Sequence, residues 1–155
     1  METLESIVLA QEFFAGLDPE IGKFIAGCAR NHHFEPDTYL FHEGEPAREF
    51  YLVRHGDVAL EISLPGRKTH ILSTMHDGEI VGASWLVPPY RWNADARAQS
   101  HVRAIGFDAE CLRDKCEEDP RTGYQLLKRF ATVMVNRLQA GHMQLLDLYG
   151  QPKRD

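Results

Sequence analysis

The stretch GEIVGASWLVPPYRWNADARA, residues 78–98, decides how this chain is read. Gly78 and Gly82 open it, an apolar run follows, Pro88-Pro89 breaks that run, and the chain returns as an alternating segment ending in Asp95-Ala96-Arg97-Ala98. The order is strand, glycine turn, one helical turn, loop, strand. It sets free backbone N–H groups at a helix start, which suits a phosphate or another anion. The amides of Gly82, Ala83 and Ser84 are expected to face that anion.

Upstream of this stretch the chain is β-rich. Tyr39-Leu40-Phe41-His42, Phe50-Tyr51-Leu52-Val53-Arg54, Val58 to Leu64 and His70 to Met75 read as strands. Their ends fall at Pro36-Asp37, Gly44-Glu45-Pro46, Gly56-Asp57, Pro65-Gly66 and Asp77-Gly78. Short strands punctuated this regularly by Gly or Pro predict a β-sandwich or barrel. Asp95 to Phe107 supplies the last one or two strands, and His33-Phe34-Glu35 leads into the first turn. Ahead of the strands, residues 2–14 and 18–29 read as two short helices, with Asp18 as cap and Pro19 in the first turn of the second.

Downstream, residues 108–118 read as a short helix, and Asp119-Pro120 starts a longer one. On the longer helix Leu127, Ala131, Met134, Leu138, Gly141, Leu145 and Leu148 alternate steps of four and three, a heptad-like seam. Such a seam lies either on the chain's own barrel or against a second copy. Leu126, Phe130 and Val133 form another apolar flank. With that flank on the barrel, the seam is free to pair in a homodimer.

At 155 residues and 43% apolar, one domain spanning 1–155 with a full core is expected. No apolar run approaches the length of a membrane span. The leader METLESIVLAQEFF lacks a basic start and a cleavage pattern, so no membrane attachment and a cytoplasmic location are expected. Cys28, Cys111 and Cys116 form no CxxC pair and read as buried or half-buried free thiols. A net charge of −6, with basic residues clustered only at Lys128-Arg129 and Arg137, argues against direct nucleic-acid binding. The eight histidines show no metal-ligand spacing and read as strand and turn residues, so no metal is expected. Ser84 lacks the second flanking glycine of a nucleophile elbow, and no catalytic constellation is found. Asp57, Glu61 and Glu79 read as solvated strand-end carboxylates.

Several segments in this order carry a family resemblance: FFAGLDPEIGKFIAGCAR (13–30), Tyr39-Leu40-Phe41 with Glu43-Gly44-Glu45, FYLVRHGDVAL (50–60) and GEIVG (78–82). Together they resemble the cyclic nucleotide-binding domain, the sensor module of the catabolite activator family, of cyclic-nucleotide-dependent kinases and of gated channels. The resemblance implies an α+β fold: an eight-strand, jelly-roll-like β-roll over 31–107, a helical lead-in over 1–30, a phosphate-cassette-like loop over 78–98, and C-terminal helices over 108–150 that include a long dimerisation helix. It also implies a stand-alone sensor, because the helix-turn-helix of the family's transcription factors would follow the long helix and the chain stops at Asp155.

In family members that bind cyclic nucleotides, the resemblance implies a Glu after the second glycine, holding the ribose 2′-hydroxyl, and an Arg about ten residues on, paired with the cyclic phosphate. Here Ala83 and Ser84 follow Gly82, and Trp92 stands at the Arg position with Asn93 beside it and Arg91 one residue away. An Arg–phosphate fork is among the strongest polar contacts, and each buried polar group left unmet costs about 1–3 kcal/mol. What the stretch offers instead is aromatic: Trp85, Tyr90 and Trp92, with Arg91 and Arg97 nearby. Stacking and guanidinium contacts suit a flat anionic ligand, a cyclic nucleotide or a cyclic dinucleotide. Alternatively the tryptophans plug the pocket and Arg97 pairs with Asp95 or a surface carboxylate.

The expectation is a non-enzymatic sensor with Gly82, Ala83, Ser84, Trp85, Arg91, Trp92, Asn93 and Arg97 around a small anionic second messenger, signalling to an effector protein that the sequence does not name. The alternative is a ligand-free domain that persists as a dimeric interaction scaffold.

Overall fold

Glycine and proline punctuation cuts the middle of the chain into eight strands, and the computed structural model, which describes residues 2–149, arranges them as two four-stranded antiparallel sheets. The strands are β1 (Ala29–Phe34), β2 (Tyr39–Phe41), β3 (Glu49–His55), β4 (Val58–Ile62), β5 (His70–Met75), β6 (Ile80–Val81), β7 (Asp95–Ala98) and β8 (Val102–Asp108). Their order is β1-β8-β3-β6 in one sheet and β2-β7-β4-β5 in the other. The core holds Phe50, Leu52, Val58, Ala96, Ile105 and Phe107, all shielded from solvent. The α+β roll expected from the sequence is the fold observed.

The departures are local. The expected second helix, 18–29, ends early: α2 is Pro19–Gly27, and β1 begins at Ala29. The segment Ala-Arg-Asn-His-His-Phe has no apolar alternation to mark it as a strand. Its conformation comes from β8, with which it pairs from Ala29↔Phe107 to Phe34↔Val102. The expected first helix, 2–14, is broken into α1 (Leu4–Leu9), opened by a Thr3/Ser6 capping box, and a 3-10 turn at Glu12–Phe14. Pro19 does occupy the first turn of α2, but the Asp18 side chain does not cap it. That carboxylate accepts from Gln125 Nε2 at 3.0 Å and pairs with Arg121 at 3.1 Å, tying α2 to the last helix.

Asp108 caps α3 (Ala109–Glu118) by accepting from the Cys111 N–H at 3.1 Å. Then α4 (Pro120–Tyr149) runs for 30 residues, about 45 Å at helical rise. Its buried face is Leu126 and Phe130, with Val133 and Met134 packed at the edge of the core. Met134 therefore belongs to the roll-facing side and not to the outward seam, whereas Leu127, Leu138, Leu145 and Leu148 are exposed. Gly150 and the chain end at Asp155 lie outside the described residues. Arg129 donates to the Phe13 carbonyl at 3.0 Å, Arg137 to the Ile80 carbonyl, and Gln144 to the Leu72 carbonyl at 3.0 Å, so α4 is fastened to the lead-in and to both sheets. Among the described residues no helix is long and apolar enough to cross a membrane.

Candidate functional site

Between β6 in one sheet and β7 in the other, the chain must cross the roll, and residues 82–94 make that crossing. Gly82 sits at φ +95°, a conformation that a side chain resists, and it also lacks room for one. An ideal Cβ there would meet Cη2 and Cζ3 of Trp92 at 2.6 and 2.7 Å. The Trp92 ring is 4% exposed and stacks on Phe41 of β2, with centroids 4.1 Å apart and planes 14° from parallel. The indole thus fills the space in front of the Gly82 turn.

The crossing segment is zipped onto residues 44–47. Gly44 N donates to Trp92 O at 2.8 Å, Trp92 N to Glu45 O at 3.0 Å, and Ala47 N to Tyr90 O at 2.8 Å. Arg91 is turned outward, with Nη1 donating to the Gly44 carbonyl at 2.6 Å, and Ser84 Oγ donates to the Arg91 carbonyl at 3.0 Å. Asn93 is exposed. Among the described residues, the amides of Gly82 and Ala83 donate to no protein acceptor.

Arg97, on β7, is already committed. Its Nε donates to Glu61 and its Nη1 pairs with Asp37 at 2.8 Å. Glu61 is only 2% exposed, so it is a buried partner and not the solvated strand-end carboxylate expected. The sheet register explains the pairing. Arg97 lies opposite Ala59 and Asp95 opposite Glu61, which makes Arg97 and Glu61 diagonal neighbours on one face. The hydrogen bond to Glu61 raises the Arg97 guanidinium above its ordinary value, so its charge is permanent and matched. Asp95, offered as a partner by the sequence, instead accepts from the Glu43 N–H at 2.7 Å.

Trp85 is wholly buried, stacked on Phe50 with centroids 4.6 Å apart and edge-on to Phe130 of α4 at 5.1 Å. It is a core residue that joins the cassette turn to the long helix. Arg113, on α3, holds the same turn: Nη1 donates to the carbonyls of Trp85 at 2.8 Å and Ala47 at 3.1 Å, and its guanidinium lies 4.7 Å from the Tyr90 ring centroid. Nothing near Arg113 in sequence marks this role, because its partners are on the roll.

The family described as the cyclic nucleotide-binding domain matches residues 31–119, more than half of the chain. The chain belongs to the cyclic nucleotide-binding domain family. It is 24% identical over 145 residues to a CRP-like cAMP-activated global transcriptional regulator of Mycobacterium tuberculosis, covering 94% of this chain and 63% of that protein. It is 30% identical over 118 residues to cyclic nucleotide-gated ion channel 18 of Arabidopsis thaliana, covering 70% of this chain and 17% of the channel. A crystal structure from Geobacter metallireducens GS-15, described as that of a cyclic nucleotide-binding protein, superposes with a TM-score of 0.79 at 28% identity over 89% of this chain and 99% of that one. This chain spans less than two thirds of the mycobacterial regulator's length.

Within this cyclic nucleotide-binding domain, the cassette brings together Gly82 with Trp92, and Ser84 with Arg91. It does not bring Arg97, Trp85 or Asn93 to the same point. Arg97 faces Glu61 and Asp37, Trp85 is in the core, and Asn93 is at the surface.

Proposed function

We propose that this chain is a non-enzymatic regulatory module that works without cyclic AMP or cyclic GMP and acts through the outward apolar face of α4, on which two copies pair. The observation that carries this reading is the Trp92 ring lying against Gly82. We take that as the side from which an anion would approach the turn at residues 82–84, where an indole would exclude a phosphate by volume while offering it no charge. Arg97 adds no free guanidinium, because Glu61 and Asp37 hold it. Support for pairing is the exposure of Leu138 (60%), Leu145 (55%) and Leu148 (74%) along one helix, a larger apolar display than an isolated surface residue makes.

Titration with cyclic AMP and cyclic GMP, followed by calorimetry and by the fluorescence of the two tryptophans, tests the first part. No saturable signal is expected up to ~1 mM. Micromolar binding of either nucleotide by the unaltered chain would overturn it. Light scattering tests the second part: twice the 17.7 kDa chain mass is expected, falling to one chain mass in Leu138→Glu. A second reading, an anionic messenger of other shape such as a cyclic dinucleotide, is favoured by the unpartnered amides of Gly82 and Ala83. Saturation by a cyclic dinucleotide in the same titration, with quenching of Trp92, would select it.

A further inference from the structure

Away from the cassette, three side chains with metal-ligating atoms converge where β1 and β8 meet their turns. His33 is on β1, Glu35 begins the turn after it, and His101 precedes β8. Ligand atoms of all three lie within 4.8 Å of one another. His33 Nδ1 is 3.7 Å from Glu35 Oε1, and His101 Nδ1 is 3.3 Å from Glu35 Oε2. The two imidazoles stack, with centroids 5.7 Å apart and planes within 16°, so both Nδ1 atoms address the same carboxylate.

The backbone beneath is a paired ladder. Register pairs His33 with Arg103 and Phe34 with Val102, so Glu35 and His101 come next across the same ladder. Residues two apart on a strand share a face, which puts His33 and Glu35 on one side. Thr38 donates to the Glu35 carbonyl through both its N–H, at 3.2 Å, and its hydroxyl, at 2.7 Å, which fixes the turn. Neutral imidazoles and a carboxylate are the donor set of zinc and its first-row neighbours, and three protein ligands leave a position open for water. Beside the triad is a cleft of about 630 Å³ lined by His33, Arg54, His55, His101 and Arg103. Its basic walls suit an anionic fourth ligand on the metal.

We infer that His33, Glu35 and His101 form a binding site for one divalent transition-metal ion of the zinc class, clipping the β1–β2 turn to the start of β8. This site shares no residue with the cassette, so it stands or falls independently of the regulatory reading. The three ligand atoms lie within 4.8 Å of one another, and because all three side chains are exposed they can draw together on an ion by rotamer adjustment.

The test is calorimetric titration of the full chain, without any added histidine tag, with Zn²⁺ and separately with Mg²⁺. One Zn²⁺ per chain is expected, with a raised melting temperature, and no Mg²⁺ binding. Loss of an outer-sphere partner already costs about 10–100-fold in metal affinity, so His33→Ala, Glu35→Gln and His101→Ala should each weaken Zn²⁺ by at least about tenfold. His70→Ala, on β5, should change nothing. All four are surface substitutions, and their folding is verified by circular dichroism before titration. No Zn²⁺ binding up to ~1 mM, or binding of equal strength in His33→Ala and His101→Ala, would overturn the inference.

Discussion

If the Trp92 ring occupies the volume a side chain at position 82 would need, the cost of adding that side chain must depend on Trp92. In Gly82→Ala the new Cβ arrives 2.6–2.7 Å from the indole. Two penalties follow. The backbone at φ +95° is strained for any L side chain, by about 1–3 kcal/mol, and overpacking against a stacked ring adds about 1–3 kcal/mol. Trp92→Ala alone removes a buried aromatic and leaves a cavity, at about 3–5 kcal/mol. In a chain of this size that is a fall in Tm of roughly 6–20 °C. With both substitutions the clash is gone and only the backbone strain remains. Gly82→Ala should therefore cost about 1–3 kcal/mol less in the Trp92→Ala background. Urea unfolding of the four variants, with constant m-value, measures the cycle. An equal cost of Gly82→Ala in both backgrounds would refute the placement of the indole and, with it, the reason for excluding a cyclic phosphate.

Other consequences are testable singly. Trp85→Ala should lose about 3–5 kcal/mol in urea while Trp85→Phe loses much less, because Phe keeps the stack on Phe50 and the edge contact with Phe130; equal losses would place Trp85 outside the core. Putting Arg at 92 and Glu at 83 (W92R/A83E) restores the two groups the family resemblance calls for, and calorimetry should detect cyclic AMP binding that the parent lacks; a folded double variant that stays silent would mean the cassette is closed by more than Trp92. Burial works to raise the Glu49 carboxyl, but hydrogen bonds from Arg30 and His32 outweigh it and hold the group below its ordinary value. A lowered folded-state value means stability that is present above the unfolded carboxylate range and lost as pH falls through the folded value. Stability of Glu49→Gln should accordingly fall less steeply below about pH 4.3 than that of the parent, and parallel curves would deny the linkage. Burial, aided by Cys111, pushes the Cys28 thiol up to about 12, and burial pushes Cys116 up to about 11. Alkylation at pH 8, followed by mass spectrometry, should be slow at both in the folded chain and fast in urea.

Much of the architecture was legible because its signals are short-range. Pro and Gly end strands by removing a donor or permitting positive φ, and alternation declares a strand with one face buried. Proline at 19 and 120 announced helix starts in the same way. Where a distant partner replaced or overrode the local signal, the expectation failed. The polar β1 is a strand only because β8 pairs with it. Asp18 left its helix for Gln125 and Arg121 because α4 passes within reach.

The candidate site divides along the same line. The glycine turn, the absent acidic and guanidinium groups and the aromatic substitutes all stand in 78–98 and could be named from the order of residues. Which tryptophan enters the core and which covers the turn could not. Trp85 goes inward because Phe50 and Phe130, on other elements, form a slot for it, and Trp92 covers Gly82 because Phe41 of β2 supplies a flat surface. Arg97 met Glu61, 36 positions away, through strand register, and His33, Glu35 and His101 met through the pairing of β1 with β8. The sequence by itself determined the turns, most of the element types and the family, since backbone preference and side-chain periodicity act over a few residues. Tertiary structure decided which side chain lies against Gly82 and which side chains meet one another, since those depend on contacts between strands far apart in the chain.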